Sequence, residues 1–322
     1  MRSNVSIMIL ALGLVAPNVV TAEPFTFVAL GDMPYEPLRD DVRFDGLIDA
    51  VNDVAPAFTL HVGDTKSGKT PCDDAAFEKI LLDLDRFQAP LVYTPGDNEW
   101  RDCYKKKAGR FDPLERLDFV REIFFSKAES LGMESMPIER QADLMPDYQG
   151  YVENARFMHE QIMVVTAHIV GWNDKLTKHN ADIADEFLAR DAANIAWIRS
   201  SFARAKQDGA KGLVMAIHAD LWKDEADFAN WPSGSIHEPW IEAFLEAADD
   251  FDKPVLLIHG DSHSFQIDHP FIDESDKGPP LITRLEVYGD KQVQAVSITV
   301  DPSDPRVFGF MPPIVPNNVN QR

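Results

Sequence analysis

Four short apolar runs in this chain end in, or are closely followed by, the dipeptide Gly-Asp. Leu30-Gly31-Asp32, Val62-Gly63-Asp64 and Pro95-Gly96-Asp97 are the first three, and His259-Gly260-Asp261 follows Val255 to Ile258. Such runs, bounded by turn residues, read as buried strands. Between them, 44–54, 73–87, 113–128, 183–205 and 236–248 have a helical apolar period. Strands alternating with helices point to an α/β sheet, whose strands present ligands at their carboxyl ends. Four carboxylates therefore gather on one edge, where they repel one another unless a cation holds them. The glycine before each aspartate is read as the sharp turn that aims it inward.

Two histidines join this edge. His218 closes the run Leu213 to Ile217, and His263 stands two residues past Asp261. Aspartate and histidine together suit hard and borderline divalent metals, and six such ligands suffice for a two-metal centre that cleaves phosphate esters. The expected ligands are Asp32, Asp64, Asp97, His218, Asp261 and His263. His259, at a strand end, is given a supporting catalytic role behind the ligands. Gly289-Asp290 is read as a plain turn.

Other signals complete the organisation. Asp112, Pro113 and Glu115 form a helix-starting capping box, as do Ser235 and Glu238. Residues 157–170 read as extended, and 281–301 as a hairpin turning at Gly289-Asp290, so a second, more antiparallel sheet is expected against the first. One domain is expected over 23–322, with loop-rich insertions near 129–160 and 219–237. Residues 1–22 have the layout of a secretory leader: Arg2, an apolar run from Ile7 to Val15, then small residues up to Ala22. The protein is therefore expected to be exported, periplasmic or extracellular.

The net charge is −22, and loss of the leader removes only one cation, Arg2. That balance argues against nucleic acid and anionic membranes as partners. It also poses a difficulty for an anionic substrate, which bound cations resolve. The only two cysteines, Cys72 and Cys103, are read as a disulfide suited to an oxidising compartment; two unrelated buried thiols are the alternative. The bridge would tie together the loops that carry Asp64 and Asp97. Oligomeric state has no signal.

In order and spacing these motifs resemble the calcineurin-like metallophosphoesterases, which include the purple acid phosphatases. The family's Asp-x-His, Gly-Asp, Gly-Asn-His-Glu/Asp, lone His and Gly-His-x-His correspond to five segments here. They are Gly31-Asp32-Met33-Pro34, Gly63-Asp64, Gly96-Asp97-Asn98-Glu99, His218 and Gly260-Asp261-Ser262-His263. The resemblance spans 25–265. It implies a four-layer α-β-β-α sandwich of two mixed sheets, a dinuclear site at one edge, and Asp64 bridging both ions, so that Asp32, Asp64 and His263 are assigned to one ion and Asp64, Asp97, His218 and Asp261 to the other.

The departures are chemical. Pro34 replaces a ligand histidine, Asp97 stands in place of asparagine and Asp261 in place of histidine. Asn98 stands where the family has the histidine that meets the substrate, and an amide cannot transfer protons in the working pH range. Four aspartates cancel two divalent cations, leaving roughly zero charge and an oxygen-rich set that favours Mn, Mg, Ca or Fe over Zn. The expected function is hydrolysis of a phosphate mono- or diester by a metal-bound hydroxide, slow or unusually specific, with a small phosphorylated substrate. Asn98 is its phosphoryl contact, and Tyr35 and Trp100 line the pocket. The alternative is a member of the same fold that binds metal or a phosphorylated ligand without turnover. A remote alternative is a nucleotide-binding P-loop, since Gly63 to Thr70 satisfies that pattern. Asp64 in the phosphate cradle and Pro71 after it argue against that.

Overall fold

The structure is a computed structural model that describes residues 22–35, 37–170, 180–222, 238–271, 282–311, 314, 315 and 318. The expected leader, apart from Ala22, lies outside the described residues, as does the 219–237 stretch beyond Trp222.

Two mixed sheets make up the fold. The first has the order β12-β11-β1-β2-β3, with β1 (Phe25–Leu30), β2 (Thr59–His61), β3 (Leu91–Tyr93), β11 (Val296–Val300) and β12 (Phe308–Met311). Strands β1 to β3 are parallel, whereas β11 and β12 add antiparallel. The second has the order β4-β5-β6-β7-β8-β10-β9, with β4 (Glu139–Arg140), β5 (Ala155–His159), β6 (Ile162–Thr166), β7 (Gly212–Ala216), β8 (Val255–His259), β9 (Gln266–Asp268) and β10 (Ile282–Glu286). Its strands β6, β7, β8 and β10 are parallel, flanked by antiparallel pairs at both edges.

Strand alternation builds the layers. In β6, β7 and β8, Ile162, Val164, Val214, Ala216, Leu256 and Ile258 face the core shared with the first sheet. Their neighbours Met163, Val165, Leu213, Met215, Val255 and Leu257 face outward, onto Trp197, Phe202 and Phe244. Those aromatics belong to helices Ala181–Gln207 and Glu238–Phe251. Helices Pro37–Val54, Asp74–Leu84 and Pro113–Phe124 contribute Phe44, Leu47, Phe77 and Val120 to the core of the first sheet. The result is the metallophosphoesterase-like sandwich: helices, sheet, sheet, helices. Both faces of each central strand are buried, so these strands read as continuous apolar runs.

Local chemistry sets the helix starts. Asp112 accepts from the backbone N–H groups of Leu114 and Glu115, with Pro113 in the first turn, as its capping box predicts. The helix expected from residue 44 starts seven positions earlier, at Pro37.

One expectation is corrected. The two C-terminal runs do not pair as a hairpin: β10 lies in the second sheet beside β8, and β11 in the first beside β1. The connecting stretch carries Val287, Val293 and Ala295 into the core between the sheets, so it is a crossing rather than a turn. With its last strands shared out in this way, the second sheet is no more antiparallel than the first. No helix among the described residues is long and apolar enough to cross a membrane.

Candidate metal centre

The strand ends converge as their spacing predicts. Asp32, Asp64 and Asp97 follow β1, β2 and β3 on one sheet; His218 follows β7, and Asp261 and His263 follow β8, on the other. Donor atoms of Asp32, Asp64 and His218 lie within 4.8 Å of one another, and so do those of Asp97, His218 and Asp261. His218 is thus common to both groups, while the sequence assigned it to one ion. His263 enters from the side, its Nε2 3.6 Å from Asp32 Oδ1.

The turns are made differently from the sequence reading. Asp32, Asp64 and Asp261 themselves adopt φ of 56°, 55° and 75°. Their short polar side chains tolerate this left-handed region, which bulkier residues avoid. Of the four preceding glycines only Gly63 has positive φ. What Gly260 supplies is room: a β-carbon there would sit 2.2 Å from Asp32 Oδ2.

Hydrogen bonds orient the donors. Asp261 N–H donates to both oxygens of Asp32 at 3.1 Å. Asn98 N–H donates to Asp64 Oδ1 at 3.0 Å, and the Asn98 amide donates to Asp64 Oδ2. The Tyr35 hydroxyl lies 2.7 Å from Asp64 Oδ2 and 2.9 Å from His263 Nε2, which puts Tyr35 among the donors themselves. His218 Nδ1 lies 2.8 Å from the Val62 carbonyl, which fixes one proton there and makes Nε2 the nitrogen that would meet a cation.

That Nε2 is buried and makes no hydrogen bond. Its neighbours Asp64 Oδ1 and Asp97 Oδ1 stand at 3.5 and 3.6 Å. Two donors bound ~2.1 Å from one ion at a tetrahedral angle stand about 3.4 Å apart. These separations are too long for hydrogen bonds and match the edge of a coordination polyhedron, so the residues fit a metal centre.

The electrostatics agree. Burial pushes Asp32 up to about 7, against the pull of His218 and His263. Burial likewise lifts Asp64 well above the usual carboxylate range. Burial disfavours charge on His218, but Asp64 and Asp97 outweigh it and hold its proton tightly. Left to itself the cluster retains protons; divalent cations would take their place.

Three contributors escaped the sequence reading. Glu99, fully buried, accepts from Asp64 N–H at 3.2 Å, Gly96 N–H at 2.9 Å and the Thr65 hydroxyl at 2.6 Å, clamping the loops after β2 and β3 together. Its place in the Gly-Asp-Asn-Glu motif was the available signal. Arg101 pairs with Asp97, so burial, which alone would raise that carboxyl, is outweighed and Asp97 lies well below its ordinary range. Arg101 adds one positive charge beside the ligands and Glu99, whose field reaches Asp64, takes one away, so four aspartates against two divalent cations would still leave the site near zero. Asp290, read as a turn residue, accepts from His263 Nδ1 at 3.0 Å and so turns Nε2 toward the site.

Other expected residues lie elsewhere. Trp100 is core rather than pocket: only 1% exposed, it packs with Leu117 and Val170, and its ring lies against His168. His259 stands in a neighbouring group with Asp220 and Glu286. Cys72 and Cys103 form a disulfide. In the P-loop-like stretch Lys66 is the buried lysine, and its ammonium donates to the Asn98 carbonyl at 2.7 Å; Lys69 is exposed.

No protein-family model matches the sequence, and no curated protein matches it significantly. Solved structures resemble its fold. The purple acid phosphatase PPD1 from yellow lupin (Lupinus luteus) seeds is 12% identical with a TM-score of 0.51. The match covers 90% of this chain but 53% of the lupin chain, so this protein spans about half the lupin enzyme's length. GAP50, the anchor in the inner membrane complex of Plasmodium, is 10% identical with a TM-score of 0.49, over 90% of this chain and 88% of that one. At such identities the likeness shows the fold alone.

Proposed function

We propose that this chain is an exported, metal-dependent phosphoesterase acting on a small phosphate mono- or diester. The observation that carries this reading is the buried, unbonded His218 Nε2 set between Asp64 and Asp97. Asp32, Asp64, Asp97, His218, Asp261 and His263 would hold two cations, with Tyr35 within reach of the same position. When bound, such a pair acidifies water and neutralises phosphoryl charge. The oxygen-rich donor set favours Mn, Fe, Mg or Ca over Zn.

The protein's own groups would do the rest. Asp64 is held by the Asn98 N–H at Oδ1 and the Tyr35 hydroxyl at Oδ2, beside His218, the residue common to both donor groups. The Asn98 amide, which donates to Asp64 Oδ2 and to the Tyr35 hydroxyl, would exchange the latter bond for one to a phosphoryl oxygen. Arg101 restores positive charge next to Asp97, which supports binding of an anion in a chain of net −22. No acid stands at Asn98 to protonate a departing alkoxide, so esters with good leaving groups are the expected substrates. The disulfide supports export, because such bonds persist in oxidising compartments. Residues 23–322 are proposed as one domain after a 22-residue leader, with neither nucleic acid nor membrane as partner.

A second reading, a protein that holds metal without turnover, draws on the same amide at Asn98. Metal analysis of the purified protein, followed by mono- and diester hydrolysis with and without Asp64→Asn, separates the two. The enzyme reading expects turnover that depends on added metal and falls at least a hundredfold in Asp64→Asn. Bound metal with no metal-dependent turnover overturns it.

A further inference from the structure

We propose a third metal position beside the pair, formed by Asp220, His259 and Glu286. Donor atoms of these three side chains lie within 4.8 Å of one another. His259 and Glu286 are fully buried, whereas Asp220 is half-buried and forms the open side. The second observation is His259 itself. Its Nδ1 lies 3.0 Å from the Gly260 carbonyl, which fixes the proton there, and its Nε2 is buried without a hydrogen-bond partner. A lone pair thus points into two carboxylates. An imidazole in that arrangement is either a poorly solvated base or a ligand.

The carboxylates are prepared for the same role. Glu286 Oε1 accepts from the Ser262 hydroxyl at 2.5 Å and Ser264 N–H at 2.6 Å, and Oε2 accepts from the Gln266 amide at 2.9 Å. These bonds hold the carboxylate in place without neutralising it. Asp220 Oδ1 accepts from Trp222 N–H at 2.9 Å. Arg284, a cation whose field reaches His259, donates to Asp268 at 2.8 Å through Nε and stacks on the Trp222 ring, while its Nη1 is buried without a hydrogen-bond partner. The buried Nε2 of His259 thus has two carboxylates beside it and no hydrogen-bond partner, and a divalent ion bound among the three would meet all of them. One nitrogen and two carboxylate donors with an open face suit a borderline first-row divalent ion. His259 is separated from Asp261 by one residue and Asp220 from His218 by one, so the position adjoins the paired site along the same sheet edge.

The experiment counts ions. Chelator-treated protein is dialysed against Zn2+, and bound zinc is measured per chain in the wild type and in Asp220→Asn, Glu286→Gln, Asp64→Asn and the exposed control Asp249→Asn. Asp220→Asn and Glu286→Gln are each expected to hold one ion fewer than wild type, with Asp249→Asn unchanged. Asp64→Asn should keep an ion that the double variant Asp64→Asn/Asp220→Asn loses. That last comparison supports the third position even if the paired site proves empty of metal. If Glu286→Gln does not fold, half-buried Asp220 carries the test. Wild-type zinc counts in Asp220→Asn overturn the proposal.

Discussion

A β-carbon on Gly96 would lie 2.2 Å from Asp64 Oδ1 and 2.5 Å from the Asp64 backbone nitrogen. Two strand-end loops from neighbouring strands touch there through backbone, and backbone cannot rotate aside. Gly96→Ala is therefore expected to push Asp64 out of line with His218. The loss should appear at the site: at least tenfold weaker binding of Mn2+ by competition with a chelator. A Gly96→Ala protein with wild-type affinity would show that Asp64 is not a ligand, or that the loops yield.

His263 depends on Asp290 in a comparable way. With Nδ1 bonded to that carboxylate at 3.0 Å, the ring presents Nε2 to Asp32 and Tyr35. Asp290→Ala frees the ring to rotate and should weaken metal binding about 10- to 100-fold. Asp290→Asn keeps an oxygen acceptor and should recover much of it. Equal affinity in wild type and Asp290→Ala would remove Asp290 from the site.

The Cys72–Cys103 bridge closes a loop of sequence separation 31 that includes β3 and Asp97. Cross-linking such a loop contributes about 3–4 kcal/mol in the chain-entropy model. Denaturant unfolding of the Cys72→Ser/Cys103→Ser double variant should show a loss of that size. Metal affinity should fall too, because the bridge holds the loops of Asp64 and Asp97 in register. A loss below about 1 kcal/mol would mean that Glu99, which joins the same loops, already fixes them.

The fold was legible because its central strands are buried on both faces and therefore appear as unbroken apolar runs, each closed by a turn residue. The convergence of the six candidate side chains was legible for a related reason: a strand end fixes a side chain's place more tightly than any loop does. Arg101, Glu99 and Asp290 were not, since each sits in a short irregular turn that periodicity does not mark, and Glu99 and Asp290 also act on remote parts of the chain. Asp290 shows the difficulty most clearly. Its Gly-Asp dipeptide looked like a turn, and only the crossing of the chain between sheets brings it against His263. Trp100 failed in the opposite direction, because its neighbourhood in sequence suggested a pocket while Leu117 and Val170 enclose it from remote parts of the chain.

Away from the candidate metal centre, His168 makes the stability of the fold depend on pH. Its Nδ1 lies 2.9 Å from Glu153 Oε1, and Glu153 also accepts from Arg121 at 2.7 Å. Burial lowers His168 to about 4 from its ordinary 6.5, despite the pull of Glu153. A histidine lowered on folding contributes stability that is complete above 6.5 and is lost as pH falls toward 4. The full loss is about 3 kcal/mol. His61, lowered to about 4 by its own burial, acts in the same window, and Asp32, raised to about 7, acts against both. The prediction is therefore a difference. Between pH 6.5 and 4, the unfolding free energy of wild type should fall more steeply than that of His168→Gln, by up to about 1.4 kcal/mol per pH unit. Parallel curves would mean that His168 titrates normally in the fold and that its buried pairing with Glu153 opens in solution.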